Sequence, residues 1–285
     1  MCAPETSSKS IDFLKTLVYN KRVMQMNDFF NKNQHIAVAL SGGVDSSYLL
    51  YAAKTAGCDV RAYFAKSQFQ PEFELDDAIR LASSIRVPLT IERFDILCDP
   101  NIAKNPCNRC YLCKSAILAR LWERARADGI AVLCDGSNAD DDDTDRLGMR
   151  ALREQGVVSP MRDCGLTKAD IRRLSKQAGL FTHDKPSYAC LATRVPTGTA
   201  ITQELLEKIE RAEKALYEMG FTDFRVRIMK QGDGSSASTS APGSQYIARI
   251  QMPESQWNRA ASQRKEILEV MRHGFCGAML DMITR

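Results

Sequence analysis

Three groups of residues in this chain have types and spacings that could do chemistry. The first is S-G-G-V-D-S, residues 41–46, which follows an apolar run and opens an amphipathic segment. Small residues there let backbone approach a ligand closely, and the helix that follows turns its free N–H groups and positive dipole end toward it, so the turn reads as an anion site. Neither the G-x-x-x-x-G-K-[ST] nor the G-x-G-x-x-G pattern is present. The second group is Cys107, Cys110 and Cys113, spaced C-x-x-C-x-x-C at the start of a predicted helix, where consecutive thiolates can converge on one metal centre. The third is Arg225 and Arg227, which alternate onto one face of the predicted strand F-R-V-R and suit bidentate phosphate recognition.

These residues need a scaffold, and the chain is long enough to provide one. Its 285 residues, 44% hydrophobic and 26% charged, fit a globular protein with one full core and a smaller second domain, which excludes disordered and fibrous classes. The net charge of +4 is spread along the chain, so electrostatics make no case for nucleic acid as a partner. The polar N-terminus and the lack of any apolar run of about 18 residues predict a cytoplasmic protein without a membrane partner. Ten cysteines in a reducing compartment point to metal or thiol chemistry rather than disulfides. Cys58, Cys98, Cys134, Cys164 and Cys276 stand alone and read as small buried hydrophobes, and Cys2 falls in a frayed terminus.

Apolar runs at 36–40, 60–65, 89–94 and 130–134 alternate with helical patterns near 46–56, 73–85 and 109–127, which predicts α/β architecture with a doubly wound parallel sheet. Ligands bind such sheets beyond the carboxyl ends of the strands, where S-G-G-V-D-S lies. From residue 200 the order changes: an amphipathic helix ending at Gly220, strands at F-R-V-R-I-M-K and Y-I-A-R-I-Q-M, a helix over 254–274 and a last strand near 277–282. This predicts a small α+β domain with an antiparallel sheet, hence domains at 1–199 and 200–285. The segment 231–244 between its first two strands reads as a flexible loop.

With the strand before it, S-G-G-V-D-S resembles the PP-loop signature of the N-type ATP pyrophosphatases, adenine nucleotide alpha hydrolase-like proteins that bind ATP, transfer AMP to an oxygen and release pyrophosphate. The resemblance implies that Ser41, Gly42, Gly43, Asp45 and Ser46 cradle the pyrophosphate moiety. D-G-S-N-A-D-D, residues 135–141, is similar to the second nucleotide-side segment of that superfamily. Charge alone suggests Asp140 or Asp141 as a holder of Mg2+, with Asp142 and Asp143 solvated.

N-P-C-N-R-C-Y-L-C-K (105–114), S-P-M-R-D-C-G-L-T-K-A-D-I (159–171), K-P-S-Y-A-C-L-A-T-R (185–194), F-R-V-R and Y-I-A-R-I together resemble the LarE family over residues 15–282. That family consists of ATP-dependent sulfur transferases that make the nickel-pincer nucleotide cofactor. The resemblance implies adenylation of the carboxylates of a pyridinium dicarboxylate mononucleotide, then sulfur delivery to the activated carbons. It also implies a small-molecule nucleotide substrate and a homo-oligomer, and leaves the sulfide source open. Cys190 occupies the position of the cysteine that gives up its own sulfur in some members. Arg194 would meet a phosphate and Glu213 would support the site, while Arg249 suits a plain surface position equally well. Thr167 and Asp170 form a capping box, which reads as scaffold.

The extra cysteines depart from the single-cysteine pattern. A C-x-x-C pair with one distant cysteine resembles the iron–sulfur PP-loop thiolases, which implies a 4Fe-4S cluster on Cys110, Cys113 and Cys190. Two alternatives stay open: a 107/110/113 triad that leaves Cys190 as the donor, and a structural zinc site. A tRNA-thiolating enzyme is the competing function, and a non-enzymatic nucleotide or metal binder is a third.

Overall fold

In the strand V-R-A-Y-F-A alternate residues point to opposite sides, and both sides are apolar apart from Arg61, as a strand covered on two faces requires. The computed structural model, which describes residues 21–141, 147–230 and 246–284, shows such a sheet. Four strands, β1 (His35–Ala39), β2 (Asp59–Lys66), β3 (Leu89–Arg93) and β4 (Leu133–Cys134), lie in the order β3-β2-β1-β4, all parallel. Ile36, Val38, Val60, Ala62 and Phe64 pack to one side with α1 (residues 21–32), α2 (Val44–Thr55), α3 (Glu72–Ser84) and α8 (Lys168–Gln177). Ala37, Tyr63 and Ala65 face the other side, against α5 (Arg109–Ala127) and α6 (Leu147–Glu154). Two single-turn helices, α4 (Pro100–Ala103) and α7 (Pro160–Asp163), each open on a proline, whose missing N–H costs nothing at that position. The doubly wound α/β expectation holds. The last parallel run is shorter than expected: of 130–134 only Leu133 and Cys134 pair with β1.

The chain divides into two compact units. Of the described residues, the first takes those up to Lys66, Glu72–Phe94 and Cys110–Lys185, and the second takes Ser67–Pro71, Asp95–Arg109 and those from Pro186 on. This differs from a boundary at 199/200: 95–109 is hydrogen-bonded to 186–199, and 186–199 in turn to Glu213, Arg225 and Arg227. The second unit carries β5 (Arg225–Lys230), β6 (Tyr246–Gln251) and β7 (Gly277–Leu280) in that order, with α9 (Gln203–Glu218) and α11 (Arg264–Arg272) in contact with its strands. Val226 and Ile228 are buried, and so are Leu205, Ile209, Ala212 and Leu216 of α9.

Two expectations for this unit are corrected. β5 and β6 are antiparallel, but β6 and β7 are parallel, so the sheet is mixed. The helical connection from β6 to β7 is long enough to return the chain to the same end, which a tight turn cannot do. The helix expected over 254–274 is broken into a 3₁₀ turn (Glu254–Gln256), α10 (Trp257–Ser262) and α11. The expected loop at 231–244 lies outside the described residues, as do Cys2, Asp142 and Asp143.

Candidate active site

The switch in strand order falls between β1 and β4, and the chain leaves their neighbouring carboxyl ends as S41-G-G-V-D-S46 and D135-G-S-N138. This is where doubly wound sheets open a crevice for ligands. Gly42 has φ +74°, and a Cβ there would lie 2.6 Å from the Glu74 carbonyl oxygen, so backbone conformation and space both demand glycine. Gly43 caps α2 without a side-chain hydrogen bond, which leaves the first turn open toward a ligand. The loop is braced from within: the Ser41 amide donates to Ser46 Oγ at 3.1 Å, the two hydroxyls lie 3.0 Å apart, and Ser47 Oγ donates to the Gly43 carbonyl at 2.7 Å.

The second segment presses directly on this loop. A Cβ at Gly136 would lie 2.7 Å from the Ser46 amide nitrogen, so only glycine permits the approach. Asp135 is buried and accepts hydroxyl hydrogens from Ser137 and Ser159, each at 2.6 Å, with Lys114 Nζ 3.7 Å away. Asn138 Nδ2 reaches Asp45 at 3.4 Å, and Lys168 Nζ forms an ion pair with the same carboxylate. Lys185 Nζ donates to the Gly42 carbonyl at 2.9 Å and pairs with Asp77 at 2.5 Å. Two cations therefore border the anion turn, and sequence reasoning missed both. The Thr167–Asp170 capping box forms as expected, and it sets Lys168 at the first position of α8. The signal was present in G-L-T-K, but nothing local shows that its amine meets Asp45, 123 residues away. Asp140 accepts from the Lys168 amide and Asp141 from the Asn138 amide, so both carboxylates brace backbone.

The other candidates gather in the second unit around Glu213 of α9, which is buried. Its carboxylate accepts from Arg194 Nε at 2.8 Å and Nη2 at 3.1 Å, from the Tyr188 hydroxyl at 2.5 Å and from the Val226 amide at 2.9 Å. Arg194 is 1% exposed, and its Nη1 donates to the carbonyls of Ala189 at 2.8 Å and Cys190 at 3.3 Å. Burial disfavours the guanidinium charge, but the hydrogen bond and charge of Glu213, with Tyr188 and Cys190 nearby, hold its pKa above the usual value. Arg225 donates to the Ser187 carbonyl at 2.5 Å, and Arg227 to Gln251 Oε1 and the Thr193 carbonyl, each at 2.6 Å. The structure thus brings Arg194, Glu213, Arg225 and Arg227 together around the segment that carries Cys190. Arg249, across the sheet from Arg227, pairs with Asp281.

Cys190 is half-buried at the start of a 3₁₀ turn (Leu191–Arg194). The segment before α5 is fastened to that turn inside the same unit. Asn105, fully buried with φ 55°, donates to the carbonyls of Val195 at 3.3 Å and Pro196 at 2.8 Å. Arg109, also buried, donates to Asn105 Oδ1 at 2.6 Å and to the Ala192 carbonyl at 2.9 Å. Asn105 and Arg109 flank Cys107 in the sequence, and Cys110 comes next. Sequence reasoning named the cysteines and passed over these two anchors.

Cys110 and Cys113 stand three apart on α5, on one helix face, while Cys107 lies in the turn before it. Cys110 and Cys113 belong to the first unit, and Cys107 and Cys190 to the second. As a donor set, thiolates in a C-x-x-C spacing with one more cysteine fit an iron–sulfur cluster. Among the described residues no three His, Cys, Asp or Glu side chains form a metal-holding group, and no described cysteine is in a disulfide. Cys58 and Cys134 are buried as expected, whereas Cys98 and Cys276 are exposed.

A strand, a glycine turn braced by serines and a second glycine segment at the topological switch define a PP-loop nucleotide-binding domain of the HUP class. Residues 34–91 match the family described as tRNA methyl transferase HUP domain. An uncharacterized protein of Synechocystis is 33% identical over 82% of each chain. The pyridinium-3,5-bisthiocarboxylic acid mononucleotide synthase of Lactiplantibacillus plantarum is 31% identical over 78% of this chain and 75% of its own. The tRNA-specific 2-thiouridylase MnmA of Hydrogenovibrio crunogenus is 26% identical over 57% of this chain and 52% of its own. The chain belongs to the LarE family of PP-loop sulfur transferases.

Proposed function

We propose that this protein is an ATP-dependent sulfur transferase acting on pyridinium-3,5-biscarboxylic acid mononucleotide. The observation that carries the reading is the likeness to the Lactiplantibacillus synthase over most of both chains. The glycine turn supports it as a triphosphate site: Ser41, Gly42, Gly43, Asp45 and Ser46 hold the pyrophosphate part of ATP, with Mg2+ accompanying the nucleotide. Attack of a substrate carboxylate oxygen on the α-phosphorus releases pyrophosphate and leaves an acyl adenylate. A sulfur nucleophile then attacks the carbonyl carbon, and AMP leaves with the former carboxylate oxygen. Arg225 and Arg227 recognise the substrate phosphate, and Arg194 and Glu213 hold the sulfur-bearing loop in place. As the resemblance implies, the protein works as a homo-oligomer.

Cys110, Cys113 and Cys190 are the proposed ligands of a 4Fe-4S cluster, with Cys107 as the rival. Bound there, the cluster would supply an exchangeable sulfide and spare the cysteine sulfurs. The C-x-x-C spacing of Cys110 and Cys113 with one distant cysteine supports this reading, while the Asn105 and Arg109 anchors hold the turn around Cys107 to the segment after Cys190. A second reading, with Cys190 as sacrificial donor and no cluster, is favoured by the charge of the Arg194 guanidinium, which donates to the Cys190 carbonyl and interacts electrostatically with its side chain, a setting that suits a thiolate.

Anaerobic purification followed by iron, sulfide and intact-mass analysis across turnover separates the two. About four irons with no mass loss supports the cluster. An iron-free protein that loses roughly 34 Da per turnover, the mass of hydrogen sulfide, supports Cys190 as donor. In the cluster case Cys110→Ala, Cys113→Ala and Cys190→Ala each abolish iron binding, and Cys107→Ala weakens it slightly. Asp45→Ala removes pyrophosphate release and keeps the iron. Equal damage from Cys107→Ala would overturn the ligand assignment.

A further inference from the structure

Tyr188 lies two residues before Cys190, and neither the glycine turn nor the arginine pattern accounts for it. Two guanidinium groups lie over its half-buried ring, with Arg194 Cζ 4.5 Å and Arg225 Cζ 4.7 Å from the centroid. Its hydroxyl donates to Glu213 Oε2 at 2.5 Å. The same two arginines hold the backbone on either side of the ring, Arg225 at the Ser187 carbonyl and Arg194 at the carbonyls of Ala189 and Cys190.

Two like charges set close together repel, and an aromatic ring that both meet offsets part of that repulsion with two cation–π contacts. The ring orients the guanidinium groups while Glu213 offsets the charge of Arg194. Without the ring, Arg194 and Arg225 lose a shared wall and the carbonyls of 187, 189 and 190 lose the alignment of their donors. We propose that Tyr188 is a positioning residue for Cys190, its ring acting as a shared π surface that orients Arg194 and Arg225 and so sets where the thiol stands. This role rests on the reading of Cys190 as the reactive or ligating thiol, but its test does not.

The test compares wild type, Tyr188→Phe and Tyr188→Leu as full-length proteins, using iodoacetamide alkylation followed by peptide mass spectrometry. The readout is the alkylation rate of Cys190 divided by that of exposed Cys98 in the same sample. A general loss of stability would also bring buried Cys58 and Cys134 into reaction, and thermal melting records it separately. In Tyr188→Leu the untethered loop opens, and the ratio is expected to rise about tenfold. Tyr188→Phe keeps the ring and is expected to stay within about twofold of wild type. If Tyr188→Leu leaves the ratio unchanged, or Tyr188→Phe behaves like Tyr188→Leu, the proposal is overturned. Where sulfur transfer is measurable, kcat falls in Tyr188→Leu with the KM for ATP unchanged. Absence of sulfur transfer in all three proteins would count against the proposed function and leave the alkylation result standing.

Discussion

Gly136 is the single residue whose replacement reports most directly on the nucleotide site. Its missing side chain lets the segment after β4 touch the Ser46 amide, where an added Cβ would meet backbone at 2.7 Å with no flexible atom to yield. Gly136→Ala is expected to raise the KM for ATP about tenfold, since small misplacements of a binding loop cost that much or more. Pyrophosphate release measured against ATP concentration checks it, and an unchanged KM would show that the contact does not shape the site. The cysteines make a second residue-level test. Burial pushes the Cys58 and Cys134 thiols up, so the thiolate needed for alkylation is scarce in the folded chain. Near pH 8 Cys98 and Cys276 should be labelled, with Cys58 and Cys134 protected until denaturant is added.

At the level of elements, the segment that leads into α5 is held by side chains rather than by its own helix. Arg109→Leu leaves Asn105 Oδ1 and the Ala192 carbonyl without the Arg109 donor in a buried setting, which costs about 1–3 kcal/mol. The urea midpoint should fall accordingly, and an unmoved midpoint would mean that other donors replace the guanidinium. Helix α8 illustrates a different economy. Its capping box is local and readable from T-K-A-D, whereas its Lys168 amine works at long range on Asp45. The same four residues thus serve both as scaffold and as part of the site.

For the whole molecule, the groups with raised pKa values set the alkaline limit of stability. The thiols of Cys58, Cys134 and Cys164 are raised by burial from an ordinary 9.0, and the Tyr63 hydroxyl by burial and by Asp128 from 10.0. A group with a raised folded pKa contributes fully below its unfolded value. As pH rises past that value the unfolded chain releases protons that the folded chain keeps, and stability falls. Denaturant midpoints should therefore be level up to about pH 8 and decline toward about pH 10. A flat profile across that range would show that these groups ionise alike in both states.

The sequence by itself determined the parallel sheet, because apolar runs at strand length separated by helical periods have few other ways to bury both faces. It also determined the glycine turn between a strand and a helix, where Gly42 takes a conformation that favours glycine. It left the mixed pairing of β6 and β7 unread, since strand direction in a short C-terminal unit depends on where the connecting helices can pack. The partners of the charged residues were unreadable for the same kind of reason. Lys168 with Asp45, Arg109 with Ala192, and Tyr188 with Arg225 are contacts of separated segments, and a side chain's periodicity does not encode the identity of what it meets across the fold. Arg194 shows the limit best: a lone arginine after a cysteine suits a phosphate ligand, and only the tertiary structure decides that Glu213 takes its fork inside the core.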